Sequence, residues 1–280
     1  MLKRRLDIYS YFSVFLDGVM DIQIGCTGWS YHGWIGPFYP KAMTSSDYLQ
    51  HYSKTFGITE INSTFYNIPS QPTTKKWLSE TPDNFTFTAK MPKQITHDAR
   101  LKPGPYLDKF LNSIRPLGSK MKILVIQLPP SLSFAEARTN LEKILNHLPN
   151  GYRYAVEGRH PSWFTDESYK FLSEYNVCLV WNEVQGVVNP CDVTADFVYV
   201  RLIGDRTIPE NLFGTIQKDR TESIKKWAQK LGEIKNKVSH TVIMANNHFE
   251  GFSPVTANKL RLAMGLDEIT WYGKNQEKLF

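Results

Sequence analysis

The sequence predicts a single α/β domain folded as a TIM-like (β/α)8 barrel. Two observations carry that prediction. Eight short apolar runs rich in Val, Ile, Phe and Tyr recur along the chain, and stretches with helical spacing separate most of them. Eight strand–helix units are the barrel number, and 280 residues suit one domain of that kind. The competing architecture, a doubly wound open sheet, usually carries a Gly-rich first turn. Here Gly25-Cys26-Thr27-Gly28-Trp29 is not GxGxxG, and no Walker A sequence occurs.

In chain order, the strand candidates are Ile22–Gly25, Ile58–Asn62, Phe85–Lys90, Ile123–Leu128, Tyr152–Glu157, Val177–Trp181, Phe197–Leu202 and Thr241–Asn246. A Ser-Ser-Asp cap signal opens a helix over Ser45–Phe56, and Gly57 ends it. Further helices are expected at Thr73–Glu80 after Pro72 and at Tyr106–Leu117 between Pro105 and Gly118. Phe134–Leu148 places Leu141, Ile144, Leu145 and Leu148 on one helical face. Asp166–Tyr175, Thr221–Lys235 and Pro254–Met264 complete the set, while Asn182–Asp196 reads as loop. Residues 1–20 are expected to form an N-terminal extension to a domain over 21–280. Lys3, Arg4 and Arg5 precede an apolar patch as in a secretion signal, but Asp7 and Asp17 interrupt it and no cleavage site follows.

Composition is that of a globular chain, 41% hydrophobic and 21% charged, which argues against disorder and against a multi-span membrane protein. The net charge of +6 permits acidic partners, a small anionic ligand or nucleic acid, without establishing one. Three scattered cysteines with no CxxC pair fit a reducing compartment, so a cytoplasmic location is expected, with no membrane.

Chemistry in such a barrel gathers where the strands end. The strand ends here carry Glu60 with Asn62, Lys90, Gln127, Glu157 with Arg159 and His160, Arg201 followed by Asp205 and Arg206, and Asn246-Asn247-His248. Side chains alternate faces, so Glu60 points with Asn62 and Glu157 with Arg159. A guanidinium beside Glu157 favours its ionised form, fitting an orienting group, a metal ligand or a base better than a neutral acid. Glu60 and Glu157 are expected to face each other across the mouth with a carboxyl gap of roughly 6–9 Å, wide enough for an activated water. Tandem amides at Asn246 and Asn247 make a poor core and a good hydrogen-bonding clamp. Trp29, Tyr31, Trp34, Phe38 and Tyr39 in the first connection, with Phe65 and Tyr66 in the second and Trp163 and Phe164 in the fifth, form either a self-packed lid or stacking platforms.

These segments also resemble a known family. Gly25-Cys26-Thr27-Gly28-Trp29-Ser30-Tyr31, Glu60-Ile61-Asn62-Ser63-Thr64-Phe65-Tyr66, Val156-Glu157, Arg159-His160-Pro161-Ser162-Trp163, Tyr199-Val200-Arg201-Leu202 and Asn246-Asn247-His248 look like the YecE-like family, domain of unknown function 72. The resemblance runs from about residue 21 to 265. It implies a TIM-barrel-like fold and no settled reaction. A likeness of such proteins to the endonuclease IV type of barrel implies DNA or phosphoester binding. Gly158, Asn182 and Ile203 depart from the family pattern, where a larger apolar residue, an aspartate and a histidine are common.

Three functions fit. The first is binding or hydrolysis of a phosphorylated or nucleic-acid ligand, with Glu60 or Glu157 as catalytic base and Asn62, Lys90, Arg159, Arg201, Asn246, Asn247 and His248 holding the substrate. The others are a carbohydrate hydrolase using the two glutamates and a nucleic-acid-binding protein without catalysis. Of the seven histidines, too few lie near the strand ends for a three-zinc cluster. The pattern leaves room for a single labile divalent metal at Glu157 and His248. The firmest expectation is that Glu60, Lys90, Glu157, Arg159, Arg201 and Asn246 converge on one pocket.

Overall fold

The computed structural model describes residues 21–271. The expected extension over residues 1–20 lies outside them. The strands are β1 (Asp21–Thr27), β2 (Ile58–Ile61), β3 (Thr86–Lys90), β4 (Met121–Gln127), β5 (Arg153–Glu157), β6 (Cys178–Leu179), β7 (Trp181–Val184), β8 (Phe197–Gly204) and β9 (His240–Ala245). They form one parallel sheet in the order β6-β5-β4-β3-β2-β1-β9-β8-β7. The two ends of that order are neighbours in sequence. Only Val180 separates β6 from β7; β6 pairs with β5 and β7 with β8. The single sixth strand expected from sequence is therefore broken at Val180. Its first half bonds one neighbour and its second half the other, which brings the ring close to closure with eight strand positions.

The helices are α1 (Tyr48–Thr55), α2 (Ser63–Tyr66), α3 (Gln71–Ser79), α4 (Pro105–Ile114), α5 (Phe134–His147), α6 (Asp166–Glu174), α7 (Thr221–Gly232), α8 (Asn247–Glu250) and α9 (Ser253–Ala263). The seven long ones match the expected helices within about three residues at each end, the scatter normal for helix boundaries. The two four-residue helices, α2 and α8, follow directly on strands. They are too short to show a helical period in sequence. No helix joins β7 to β8, as expected, but the loop begins later than the sequence suggests, because residues 182–184 pair with β8 as part of β7.

Alternation along the strands divides the core in two. Ile58, Ile123, Val125, Ala155, Val180, Tyr199, Val242 and Met244 face inward and pack together inside the barrel. Their neighbours Ile61, Leu124, Ile126, Val156, Leu202 and Ile243 face the helices and join a larger outer cluster. Each buried Ile, Leu, Val or Phe contributes about 1.5–3 kcal/mol, so both layers add strongly to stability. Gly25 is dictated by this packing, because a Cβ there would lie 2.2 Å from the Ile58 carbonyl oxygen. The aromatic first connection is a lid packed on itself: Trp34, Phe38 and Tyr39 are buried against Tyr48, Tyr52 and Phe56. Among the described residues, no helix is long and apolar enough to cross a membrane.

Register positions the polar residues. Glu60 lies beside Thr88 and Gln127 beside Glu157. Asn182 lies beside Arg201. Each extends an inward-facing row by one step past the apolar interior, so the carboxyl end of the barrel is floored by hydrocarbon and walled by charge.

Candidate functional site

Arg201 on β8 is the centre of the mouth. It is 3% exposed, and its guanidinium reaches both glutamates. Nη2 donates to Glu60 Oε1 at 2.7 Å, and Nη1 donates to Glu157 Oε2 in a close contact. Arg159 donates to Glu157 Oε1 from Nε at 3.0 Å and from Nη2 at 2.8 Å. The Tyr199 hydroxyl donates to Glu60 Oε2 at 2.8 Å and meets Thr88 Oγ1 at 2.7 Å. All four carboxylate oxygens thus accept hydrogen bonds. Burial alone would raise the Glu157 pKa, but the charges of Arg201, Arg159 and Lys90 outweigh it and hold the carboxyl down at about 2. The same carboxylates raise Arg201 against its own burial.

Lys90 is the odd member. It ends β3 at 8% exposure, with Nζ 3.8 Å from the centroid of the Phe65 ring on α2. No carboxylate or carbonyl among the described residues bonds its Nζ. Burial, reinforced by the Arg201 charge and opposed by Glu157 and Glu60, lowers its pKa to about 7. His97 stacks edge-on to Phe65 at 5.0 Å, from a π-helical turn (Gln94–Asp98) that follows β3. Its pKa is lowered by burial and then by the Lys90 charge. Arg206, in the loop after β8, adds a further cation. Burial, then Arg159 and Arg201, lower its pKa, and among the described residues it makes no ion pair. Its backbone is left-handed, φ 58°, a strained conformation for a non-glycine residue.

Several buried polar atoms around this cluster have no partner: Arg201 Nε, both amide atoms of Asn182, Gln127 Oε1 and Asn62 Oδ1. Buried polar groups are nearly always bonded, so such a concentration marks a place where something else bonds them.

The structure brings Glu60, Lys90, Glu157, Arg159 and Arg201 together at the mouth, with Asn62 one inward step beyond Glu60. Asn246 follows the inward Met244 by two residues and is half-buried; its side-chain oxygen caps α8 by accepting from the His248 backbone at 3.0 Å. Asn247 is placed elsewhere. Its Oδ1 accepts from Trp34 Nε1 at 3.2 Å and from the backbone and hydroxyl of Ser253 at 2.9 Å, pinning the aromatic lid to α9. Adjacent residues on an extended chain face opposite ways, so both amides cannot line the mouth. His248 packs edge-on against Phe213 at 5.0 Å, on the rim formed by the loop after β8.

Two further expectations are corrected. The gap between Glu60 and Glu157 holds the Arg201 guanidinium, not a water between acid and base. The labile metal site at Glu157 and His248 is not formed, because Arg159 and Arg201 occupy both Glu157 oxygens. Among the described residues, no three His, Cys, Asp or Glu side chains are grouped as metal ligands.

Sequence reasoning noted Tyr199, Arg206 and Asn182 in passing but did not count them among the candidate site residues. Tyr199 lies two residues before Arg201, so strand parity could have found it. Gly158 also gains a reason: a Cβ there would sit 2.3 Å from Trp163 Cγ. A concavity of about 550 Å3 lies at the opposite face of the barrel, lined by Asp108, Arg115, His147 and Tyr152. Its Asp108–His147 pair is exposed and bonded at 2.7 Å, so size there is not matched by unsatisfied chemistry.

The fold and the polar mouth define a TIM-barrel-like protein with a buried cluster of charged residues at its carboxyl face. The chain belongs to the family described as Protein of unknown function DUF72, whose model matches residues 23–278. It is 32% identical over 144 residues to the YecE protein of Escherichia coli K12, a match covering 51% of this chain and 50% of that protein. It is 30% identical over 156 residues to YunF of Bacillus subtilis, covering 53% of this chain and 54% of that one. The matched stretch therefore spans about half the length of these curated relatives. A DUF72 family protein from Thermotoga maritima superposes with a TM-score of 0.73 at 27% identity, covering 86% of this chain and 98% of that chain. One from Enterococcus faecalis gives 0.71 at 19% identity, covering 89% and 100%, and shares the fold.

Proposed function

We propose that the carboxyl mouth binds a small anionic ligand whose phosphate or carboxylate group is held by Lys90, Arg159 and Arg206. One observation carries this reading. Four cations, Lys90, Arg159, Arg201 and Arg206, share the mouth with two carboxylates, and the carboxylates bond only Arg159 and Arg201. A deeply buried lysine with no carboxylate partner carries a desolvation cost that an anion beside it would offset. Tyr66, exposed at the end of α2, packs edge-on at 5.2 Å against Phe65, the ring that covers Lys90. A phosphorylated ligand carrying a sugar or base suits both the cations and the exposed ring.

Hydrolysis finds less support than binding. A two-glutamate glycosidase needs one carboxyl kept neutral as an acid. Glu157 is held ionised, and Glu60 uses both oxygens as acceptors.

The test is thermal denaturation against inorganic phosphate and a sugar phosphate at low salt. Binding to the folded state raises Tm with ligand concentration. Arg206→Ala is expected to weaken apparent affinity about tenfold, the loss of one charge-assisted hydrogen bond. Absence of any shift with phosphates and with carboxylates would sink the reading. A steep loss of binding to single-stranded DNA as salt rises, with no response to small phosphates, would move the site to the nucleic-acid class.

A further inference from the structure

We infer that Lys90 is a reactive amine, and that the mouth takes up an anionic aldehyde or ketone by forming a reversible imine at Lys90 Nζ. This rests on the anion-binding reading above and narrows its ligand to one carrying both an anionic group and a carbonyl.

Three features of the geometry support it. First, Nζ is positioned without a hydrogen bond: it lies 3.8 Å from the Phe65 ring centre, a cation–π contact, and no oxygen among the described residues bonds it, so its lone pair is committed to no acceptor or donor once the proton leaves. Second, the groups facing it come from every side of the mouth. Glu60 stands on β2, Glu157 and Arg159 on and after β5, Arg201 on β8, and His97 on the turn after β3. The two carboxylates offset the charges of Arg201 and Arg159 at Lys90, so burial is what chiefly disfavours a proton there. Third, two of those guanidinium groups are fixed beside it and Arg206 stands at the rim, so an anionic group on the ligand can be held while its carbonyl reaches the amine. Desolvation and neighbouring cations are the means by which a lysine becomes a nucleophile near neutral pH. A pKa of about 7 leaves a large fraction of free amine there, against a very small one for a lysine in water.

The step needs no further reagent. The Nζ lone pair forms a bond to the carbonyl carbon, and the carbonyl oxygen takes one amine proton to give a carbinolamine. The carbon–oxygen bond then breaks. The oxygen leaves as water with the second amine proton, and a C=N bond remains. Hydrolysis runs the same steps in reverse.

Pyridoxal 5′-phosphate is the probe, since it is an aldehyde with a phosphate and an imine chromophore; pyridoxal is its uncharged counterpart. The full chain is incubated with each, reduced with borohydride, digested and mapped. Lys90 is expected to label about tenfold faster with the phosphorylated probe than any surface lysine does at neutral pH. Labelling should rise as pH climbs through 7, and inorganic phosphate should protect. Lys90→Met removes the adduct. Lys90→Arg also removes it while keeping the cation, so phosphate still raises the Tm of that variant; circular dichroism confirms that both are folded. Label spread evenly over lysines, with phosphate still stabilising the protein, would overturn the imine and leave the anion site standing. Equal labelling of Lys90 by both probes without phosphate protection would keep the reactive amine and overturn the anion site.

Discussion

The barrel buries two lysines to nearly the same depth, at opposite ends, and treats them differently. Lys120, 7% exposed, precedes β4 at the amino face. Its Nζ donates to the Thr81 carbonyl at 2.7 Å, the Leu78 carbonyl at 3.1 Å and Thr81 Oγ1 at 3.2 Å. Lys90, 8% exposed at the carboxyl face, has an aromatic ring and no such acceptors. The buried glutamates are both fully bonded and differ instead in what surrounds them. Glu250, fully buried on α8, accepts from Lys259 at 2.6 Å, Thr256 at 2.7 Å and the Arg220 backbone at 3.2 Å, and strings these elements together. Glu157 is equally buried but belongs to a cluster with surplus cations and orphaned amides around it. Depth of burial therefore does not distinguish the charges at the two ends of the barrel. What separates them is whether the protein completes the bonds of the group and of the polar atoms around it.

The largest expected effect comes from breaking the bonded part of the mouth. Arg201→Met strands Glu60 and Glu157, and removal of one partner from a buried ionic cluster costs about 3–5 kcal/mol. Urea denaturation at pH 7 measures this as a lower midpoint. In the native protein Glu157 sits at about 2, below its unfolded value of about 4.3. Its contribution is present above the unfolded value and fades as pH falls through the folded one. Without Arg201 the Glu157 carboxyl moves up, so the deficit of the variant should shrink between pH 7 and pH 4. A deficit independent of pH would mean that the cost lies in packing instead.

The lysine pair gives a smaller and more direct contrast. Lys120→Met leaves buried carbonyls unbonded and should cost about 2 kcal/mol. Lys90→Met abandons no hydrogen bond and removes the cost of burying that amine, so it should leave the protein at least as stable as the native one at pH 7. The sign of the pH effect separates them further. The folded pKa of Lys90, about 7, lies below the unfolded value of about 10.4. Between those values the unfolded chain binds more protons, so native stability rises with pH across that window. Lys90→Met should lack this rise. Equal losses in both variants at pH 7, measured by urea denaturation, would erase the distinction between the two ends.

Much of this was legible in the sequence, for physical reasons that also explain the rest. Strand-end position and two-residue parity gathered Glu60, Lys90, Glu157, Arg159 and Arg201, because a parallel barrel sends every carboxyl end to one side. The same parity, applied to Asn246-Asn247, would have released Asn247 to the outer layer, where Trp34 and Ser253 hold it. The break at Val180 left no local mark, since both halves of the sixth strand are apolar and the hand-over from β5 to β8 is a property of ring closure. Arg206 was read only as a neighbour of Arg201, because a loop residue has no period to aim it. That one guanidinium would join both glutamates depends on three strands meeting at one height, which only the assembled register decides.

The smallest expected effect tests the unfinished bonds themselves. Asn182 lies in register beside Arg201, buried, with both amide atoms unbonded, and Arg201 Nε is unbonded as well. Asn182→Asp would set a third carboxylate against the same guanidinium. The attraction to Arg201 and the cost of burying another charge oppose each other, so net stability should change by less than about 1 kcal/mol. Ligand binding should respond more clearly. A new negative charge reduces the cationic surplus that the proposed anion requires, and phosphate should raise the Tm of the variant less than that of the native protein. The Lys90 pKa should also climb, slowing its labelling at pH 7. If phosphate stabilises both proteins equally, the surplus charge of the mouth is not what holds the anion. The site would then have to be sought at the rim, around Arg206 and His248.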